Sequence, residues 1–341
     1  MTMNLILGIE SSCDECAAAV VEQGKHIQSS IVATQVSFHA PWNGVVPELA
    51  SRMHTEWIYS VVQKALNEAS CTLNDIDGVA VTSEPGLAGS LLVGLCFAKA
   101  LAWSSKKPFI GVNHILAHLY APQLEHDVPY PYLGLMVSGG HTLICRVDAY
   151  EDIAILGTTI DDAVGEAFDK VAKYYNLGYP GGVAIDKLAR RGNPASCRFP
   201  VPNLYKGEHT YDVSYSGLKT AAIYQLDQFW NPDFPRTNEH LAASFEKAAI
   251  DILCSRLFKA VEDTGIRTIV AGGGVAANTY LRSLLASHSD LAVYFPPLSL
   301  CGDNAAMIAG LGYKLLARGD RSPLTLNANP RVRAFRRIKG S

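Results

Sequence analysis

The chain has 341 residues, of which 48% are hydrophobic and 18% are charged, and its formal net charge is −3. This length and composition predict a folded protein of about two domains and exclude a disordered chain. The apolar runs are too short for a membrane span, and the early acidic residues argue against a signal peptide. The eight cysteines are scattered, which argues against a disulfide framework. We therefore expect a cytoplasmic protein with no membrane association.

Short apolar runs and longer helical patterns alternate along the chain, which predicts an α/β fold. In chain order, strands are predicted at residues 5–9, 16–21, 78–82, 108–112, 132–137, 143–147 and 268–271. Helices are predicted at residues 46–65, 88–104, 161–175, 183–190, 239–264, 278–287 and 305–316. The first two strands and the pair at 132–147 form similar hairpins with polar tips, so we expect mixed sheets in two duplicated lobes.

The hairpins also set the predicted domain boundaries. The first lobe covers residues 1–131 and the second covers 132–325. Residues 196–238 show no regular spacing of apolar residues and are typical of an insertion that lines a surface. Residues 326–341 form a tail that is either a solvated terminus or a basic patch for nucleic acid. Its cationic residues are Arg331, Arg333, Arg336, Arg337 and Lys339.

Two histidines four residues apart, His114 and His118, follow the predicted strand at 108–112. This spacing places both imidazoles on one face of a helix, where they form half of a transition-metal site. The end of a strand is also where open α/β sheets place their ligands. Asp303, at the start of a late helix, is either a helix cap or a third metal ligand. The spacing alone leaves a chance pair of histidines as the alternative.

Three glycine-rich turns could bring backbone N–H groups close to a phosphate: Ser138-Gly139-Gly140, Gly181-Gly182 and Gly272-Gly273-Gly274. None matches a Rossmann or Walker motif. The spacing of Asp162, Glu166 and Asp169 predicts that they lie on one face of a helix. This face is either solvated or able to bind ribose hydroxyls, and Asp186 could bind such hydroxyls in the same way.

The lone C-x-x-C formed by Cys13 and Cys16 has no second cysteine pair to complete a zinc site. Two ordinary thiols in a turn are therefore a better interpretation than a redox or zinc site.

In combination, eight segments of the chain closely resemble the TsaD family, whose members were formerly called glycoproteases. The segments are residues 8–15, 46–54, the pair His114 and His118, and residues 137–142, 161–170, 214–220, 273–278 and 303–309. One departure is visible, since Cys16 stands where the family commonly has threonine.

The resemblance implies an actin-like, sugar-kinase-like (ASKHA) fold and the activity of a tRNA N6-adenosine threonylcarbamoyltransferase. Such an enzyme moves the threonylcarbamoyl group from threonylcarbamoyl-adenylate to N6 of the adenosine beside the anticodon, in tRNAs that read codons beginning with A (the t6A modification). The implied partners are tRNA, a shorter TsaB-like paralogue of the same fold and a small TsaE-like ATPase.

The resemblance also implies one divalent metal per subunit, most naturally Fe²⁺ with Zn²⁺ or Mg²⁺ as alternatives, and a site for the acyl-adenylate or for ATP, ADP or AMP. The implied metal ligands are His114, His118 and Asp303. The implied nucleotide-binding residues are Met136, Val137, Ser138, Gly139, Gly140, Asp169, Gly182, Asp186 and Asn278.

Adenosine N6 is a weak nucleophile, so a carboxylate is expected to take its proton, and Glu10 and Asp14 in the first hairpin tip are the candidates. A metalloprotease is the main alternative function, but its helix needs glutamate directly after the first histidine, where Ile115 stands. A kinase-like nucleotide-binding ATPase of the same fold would not need the His-His-Asp site. A non-enzymatic scaffold that uses nucleotide to set lobe closure is a third alternative.

Overall fold

The computed structural model describes residues 3–150, 152–201 and 209–331, together with the backbone of residues 336–337. These residues form two compact units. The first unit extends to Val128 and resumes at Pro296, and the second unit extends from Pro129 to Phe295.

Strands and helices of the described residues are numbered here in chain order. The strands are β1 (Leu5–Glu10), β2 (Glu15–Glu22), β3 (His26–Thr34), β4 (Gly78–Glu84), β5 (Phe109–Asn113), β6 (Tyr132–Val137), β7 (Thr142–Ala149), β8 (Asp152–Thr158), β9 (Thr268–Gly272), β10 (Ala292–Tyr294) and β11 (Arg336–Arg337). The helices are α1 (Val36–His39), α2 (Pro47–Glu68), α3 (Ala88–Ser105), α4 (His114–Tyr120), α5 (Val164–Tyr174), α6 (Gly181–Ala189), α7 (Ser216–Tyr224), α8 (Leu226–Phe229), α9 (Asn238–Thr264), α10 (Thr279–Ala286) and α11 (Ala305–Arg318).

The two sheets repeat one topology. The first has the order β3-β2-β1-β4-β5, and the second, read from β8, continues β7-β6-β9-β10, with β11 added beside β8. In both sheets the first three strands are antiparallel neighbours, and the first strand pairs in parallel with the fourth. This confirms the predicted α/β fold with mixed sheets in a duplicated arrangement.

The first sheet is covered on both faces. Leu7 and Ile9 of β1 pack in one core with apolar residues of α2 and α3. On the opposite face, a Cβ added to Gly8 would lie 2.3 Å from the carbonyl oxygen of Ala305. Glycine is therefore required at residue 8 because the start of α11 lies directly on the strand. This close packing brings the residues before α11 to the end of the first sheet.

The packing of α11 corrects one predicted boundary. Residues 296–325 were assigned to the second lobe from the sequence, but in the structure the chain returns at Pro296 to the first unit. The physical reason is that α11 buries its apolar face, including Ile308 and Ala309, against β1 and β4.

Other differences concern the predicted elements. The sequence did not indicate β3, β8 or β10. The helix predicted to begin at residue 161 begins at Val164, so Asp162 lies in the preceding turn. The predicted insertion at 196–238 contains α7 and α8, while residues 202–208 lie outside the described part.

The predicted tail also begins as ordered structure. Leu326 packs against the first core, and the backbone N–H of Asn329 donates to the carbonyl oxygen of Ser83 over 2.9 Å. Further along, β11 pairs in parallel with β8. Arg333 and Lys339 lie outside the described residues. Among the described helices, α3 alone has the length and apolar content of a membrane span, and its Leu95 and Ala98 belong to the first core.

Candidate active site

Both histidines of the predicted pair lie on α4, directly after β5. The side chain of Asn113 caps this helix by accepting hydrogen bonds from the backbone N–H groups of Ile115 (3.0 Å) and Leu116 (3.2 Å). His114 is thus the first helical residue and His118 follows one turn later. Both side chains are buried.

The carboxylate of Asp303 lies beside these histidines. The cap of α11 is the next residue, Asn304, whose side chain accepts from the backbone N–H of Met307 over 3.0 Å. Asp303 is therefore not used as the cap of α11. Its Oδ1 atom lies 3.1 Å from Nε2 of His118 and 3.4 Å from Nε2 of His114.

The three side chains fit the requirements of a metal site. One nitrogen or oxygen from each of His114, His118 and Asp303 lies within 4.8 Å of the others. Nδ1 of His114 lies 2.9 Å from Oε2 of Glu10, and because a carboxylate accepts, this nitrogen carries the proton. In the neutral form of His114, the lone pair is then on Nε2, which faces Asp303. A carboxylate on the far nitrogen of a ligating histidine is a common arrangement around bound metals.

Glu10 is held by several neighbours in the first unit. Its side chain is fully buried, accepts from the hydroxyl of Thr82 over 2.6 Å, and accepts from the backbone N–H of Ser12 over 2.5 Å. The hydroxyl of Ser12 also lies 3.2 Å from Nδ1 of His114. With its oxygens occupied in this way, Glu10 orients His114. Nδ1 of His118 is buried and has no hydrogen-bond partner among the described residues.

The charges of the cluster compensate one another in part. Burial alone would raise the pKa values of Asp303 and Glu10, but His114, together with His118 for Asp303 and with the hydroxyl of Thr82 for Glu10, lowers both below the ordinary values. Burial opposes the charge of His114, yet the two carboxylates raise the pKa of this imidazole well above its ordinary value. Burial and the neighbouring His114 lower the pKa of His118. With two carboxylates beside His114, the cluster has a net negative charge whether this imidazole is neutral or protonated, and this charge attracts a cation.

Asp14 differs from Glu10 in its surroundings. It is only partly buried, and burial raises its pKa above the ordinary value. A carboxylate with a raised pKa is a better proton acceptor than one already committed to an imidazole. Of the two predicted bases, Glu10 is thus the one already committed to His114.

The thiols of Cys13 and Cys16 are free, and burial raises the pKa of both, that of Cys16 to about 12. Such thiols are poor nucleophiles and poor metal ligands at neutral pH. The interpretation of this pair as ordinary thiols therefore fits their surroundings, but only Cys13 lies in the turn, because Cys16 belongs to β2.

In the second unit, glycine turns lie at the ends of the parallel strands β6 and β9. Ser138 closes the first turn, with its backbone N–H donating to the carbonyl oxygen of His141 over 2.8 Å. A Cβ added to Gly165 would lie 2.6 Å from the carbonyl oxygen of Ser138, so the start of α5 packs directly on this turn. A Cβ added to Gly139 or Gly140 would meet no atom within 4 Å.

Met136 and Val137, which the resemblance placed in the nucleotide site, are fully buried in β6. Their side chains are therefore not available to a ligand, and only their backbone could contact one. In this unit Gly139 and Gly140 are exposed, while Gly182 at the start of α6 is half-buried, and a Cβ added to any of the three would meet nothing within 4 Å.

The predicted polar residues of the second unit hold its helix termini in place. Asp169 accepts from the backbone N–H of Gly181 over 2.7 Å, which fixes the start of α6. Asp186 accepts from the backbone N–H of Thr279 over 2.9 Å and pairs with Arg190. Asn278 caps α10 by accepting from the backbone N–H of Leu281 over 2.9 Å.

Glu246 of α9 was not identified from the sequence. It is buried, and its Oε1 accepts from the side-chain amide of Asn278 over 2.6 Å. Burial raises its pKa to about 7. The apolar residues one helical turn before and after Glu246, such as Ala242 and Ile250, were the available signal, since they indicate a buried helix face.

The predicted acidic helix face is wrong. Asp162 precedes α5 and forms ion pairs with Lys170 and Lys219, and Glu166 also pairs with Lys170. Asp169 instead faces α6. Asp162 and Asp169 therefore join α5 and the turn before it to other segments of the second unit, whereas the pair of Glu166 lies within α5, and the three carboxylates do not form one solvated surface.

Comparison with known proteins identifies the family. The TsaD family model, described as tRNA N6-adenosine threonylcarbamoyltransferase, matches residues 26–310. Proteins of that name from Treponema denticola and Treponema pallidum are 66% and 54% identical to the chain, over 97% and 98% of its length and 98% and 95% of theirs. A protein of that name from Borreliella burgdorferi is 50% identical over 97% of the chain and 95% of its own length.

Solved structures show the same fold at low sequence identity. Component A of (R)-2-hydroxyglutaryl-CoA dehydratase from Acidaminococcus fermentans is 14% identical, with a TM-score of 0.54 over 92% of this chain and 99% of that chain. HypF of T. kodakarensis is 13% identical, with a TM-score of 0.61 over 93% of this chain and 48% of that chain. These similarities place the chain among actin-like, sugar-kinase-like folds. The near-complete coverage by close relatives and by the family model shows that the chain belongs to the TsaD family of tRNA N6-adenosine threonylcarbamoyltransferases.

Proposed function

We propose that this protein transfers the threonylcarbamoyl group from threonylcarbamoyl-adenylate to N6 of the adenosine beside the anticodon, in tRNAs that read codons beginning with A. The observation that carries the proposal is the buried convergence of His114, His118 and Asp303, with Glu10 on the far nitrogen of His114. The family membership of the chain supplies the reaction that this cluster would serve.

The cluster would hold one divalent metal. Two imidazoles and one carboxylate leave coordination positions open for other ligands, the pattern favoured by Fe²⁺, although Zn²⁺ and Mg²⁺ can also use such groups. When bound, the metal would polarise a carbonyl or phosphoryl oxygen as a Lewis acid. Glu10 would fix the orientation and tautomer of His114 before the metal arrives.

The nucleotide part of the substrate would be held in the second unit. A phosphate could approach the backbone of Gly139, Gly140 and Gly182 closely, because an added Cβ would meet nothing there, and the start of α6 adds a favourable dipole. Asp169 and Asp186 would keep this backbone in place, since both already bind helix termini. Asn278, which caps α10, would act with them.

The chemical step exchanges one bond of the acyl carbon for another. The N6–carbon bond forms, the bond from that carbon to the phosphate oxygen breaks, and AMP leaves with the electron pair. The proton released from N6 passes to a carboxylate, for which Asp14 is the better candidate because Glu10 is committed to His114. Correct positioning of the two substrates supplies much of the rate enhancement, because the adenylate is already activated.

The proposal includes partners. In addition to tRNA, a shorter TsaB-like paralogue and a small TsaE-like ATPase would assist the reaction, as the family resemblance implies. We place the reaction in the cytoplasm, with no role for a membrane, which agrees with eight free cysteines.

The test uses the purified chain with these partners, labelled threonylcarbamoyl-adenylate and a tRNA that reads a codon beginning with A. Label is expected on the tRNA with the native chain and to be absent with His118→Ala. Transfer that proceeds equally without a divalent metal would remove the metal from the proposal. No transfer, together with metal-dependent cleavage of a peptide, would replace the proposal with the protease alternative.

A further inference from the structure

We propose that His54 is a positioning residue, which fixes the peptide between Cys13 and Asp14 and thereby aims the Asp14 carboxylate. This inference rests on the proposed function, in which Asp14 takes the N6 proton. It concerns a side chain of α2, outside the cluster of His114, His118 and Asp303.

The geometry gives His54 one directional contact. Its side chain is fully buried, and Nε2 lies 2.9 Å from the carbonyl oxygen of Cys13. A carbonyl oxygen only accepts, so Nε2 carries the hydrogen. Burial lowers the pKa of this imidazole, which keeps it neutral. Nδ1 is buried without a hydrogen-bond partner among the described residues. Leaving this nitrogen unpaired costs free energy, and an apolar side chain would fill the same space without that cost. The advantage of histidine at residue 54 is therefore its hydrogen bond to the carbonyl oxygen of Cys13.

This contact completes the support of the loop between β1 and β2. The backbone N–H of Leu87 donates to the carbonyl oxygen of Ser12 over 2.7 Å, and that of Gln35 donates to the carbonyl oxygen of Asp14 over 3.0 Å. His54 holds the carbonyl of Cys13, which lies between those of Ser12 and Asp14. The peptides on both sides of Asp14 are thus fixed, one by a backbone group and one by the side chain of His54.

The same loop reaches the metal cluster. Ser12 donates its backbone N–H to Glu10 and places its hydroxyl 3.2 Å from Nδ1 of His114. A loosened Cys13–Asp14 peptide would therefore disturb two features together, the direction of Asp14 and the orientation of His114. This gives a readout that does not depend on activity.

The experiment compares three variants of the full chain, assayed with its partners. His54→Gln can place an amide N–H near the position of Nε2, His54→Asn places its amide near Nδ1, and His54→Leu fills the volume without a donor. We expect kcat to fall about 10- to 100-fold in His54→Asn and His54→Leu and by less than about threefold in His54→Gln, since small misplacements of a reacting group cost this much. KM for tRNA and the affinity for AMP are expected to stay unchanged.

A second measurement uses Co²⁺ as a spectroscopic probe of the metal cluster. His54→Leu and His54→Asn should alter the visible spectrum of the Co²⁺-loaded chain, and His54→Gln should retain the native spectrum. If His54→Leu does not fold, the contrast between the asparagine and glutamine variants decides.

Equal kcat values and equal spectra for all variants would overturn the inference, because His54 would then only fill space. A native chain without transfer activity would instead overturn the proposed function. In that case the Co²⁺ spectra still decide whether His54 orders the loop.

Discussion

In the first unit, Glu10 ends β1 and Asp14 lies in the loop that follows, whereas the corresponding turn of the second unit carries Gly139 and Gly140. The strand order and pairing directions are the same in both. One strand end therefore presents carboxylates near two imidazoles, and the other presents exposed backbone. The topology determines where a site lies in each unit, and the residues at that position determine which part of a substrate it can hold.

The comparison also separates two ways of building a site. The first unit buries charged side chains and balances them against one another, as the lowered pKa of Asp303 beside His114 shows. The second unit uses its carboxylates Asp169 and Asp186 to fix helix termini and leaves glycine backbone open. Variants in the first unit should accordingly change metal binding, and variants in the second should change nucleotide binding.

The largest effect is expected from His118→Ala, which removes one of three candidate metal ligands. Bound metal should fall from one equivalent to near zero, and transfer should fall at least about 100-fold, while the affinity for AMP stays unchanged. Metal analysis, a transfer assay and AMP titration check this. The matched control is His26→Ala, because His26 is exposed on β3. Loss of AMP affinity in His118→Ala would break the assignment of separate roles to the two units.

Glu10→Gln should have a smaller effect on the same cluster. The amide can still accept from His114, but the negative charge that holds the imidazole is lost, so metal affinity should fall about 10- to 100-fold. Competition with a chelator of known affinity measures this change. Glu68→Gln at the exposed end of α2 is the control. An unchanged affinity would mean that Glu10 does not tune His114.

In the second unit, Gly139→Ala tests whether the open backbone binds a phosphate. The added methyl group has free space around it, so the thermal midpoint should change little. A ligand that approaches this backbone would lose about tenfold in affinity, or about 1.4 kcal/mol. AMP titration by calorimetry measures the loss.

Gly217→Ala in α7 is the matched control for Gly139→Ala, because its added Cβ also meets nothing within 4 Å. Alanine is favoured over glycine in a helix, so this control should bind AMP normally and should be no less stable. Equal AMP affinity in the two variants would exclude the 138–140 turn from the nucleotide site.

Local patterns explain which parts of the molecule were predictable. The pair His114 and His118 and the strand before it depend on residues close in sequence, and spacing alone placed them on one helix face. The role of Asp303 stayed open because it lies 185 residues beyond His118, and because either it or Asn304 could have capped α11. The structure assigns the cap to Asn304, a choice that depends on backbone geometry at the start of the helix.

Elements with weak patterns were missed for physical reasons. β3 lies at a sheet edge and carries an irregular mixture of buried and exposed residues, so no alternation indicates a strand. β10 has only three residues. The return of the chain to the first unit at Pro296 depends on the fit of α11 against Gly8, a contact between distant segments that no local period encodes.

Glu246 provides a test of the stability of the second unit instead of its ligand binding. Burial raises its pKa to about 7 from the ordinary 4.5, so the folded protein holds a proton that the unfolded chain releases. The free energy of unfolding should therefore decrease as the pH rises from about 4.5 to about 7 and become level above that range, by at most about 3 kcal/mol. The ionised carboxylate is costly because burial removes it from water and because Asp186 lies nearby.

Glu246→Gln removes this titration and keeps an oxygen that can accept from Asn278. The variant should match the native chain near pH 4.5 and become relatively more stable as the pH rises to about 7. Urea unfolding at several pH values measures the difference, with Glu262→Gln, an exposed residue of the same helix, as control. A difference that is independent of pH would show that Glu246 is ionised throughout. Glu246 would then be a buried carboxylate beside Asn278 and not a neutral, protonated side chain. In that case both units would bury charged side chains.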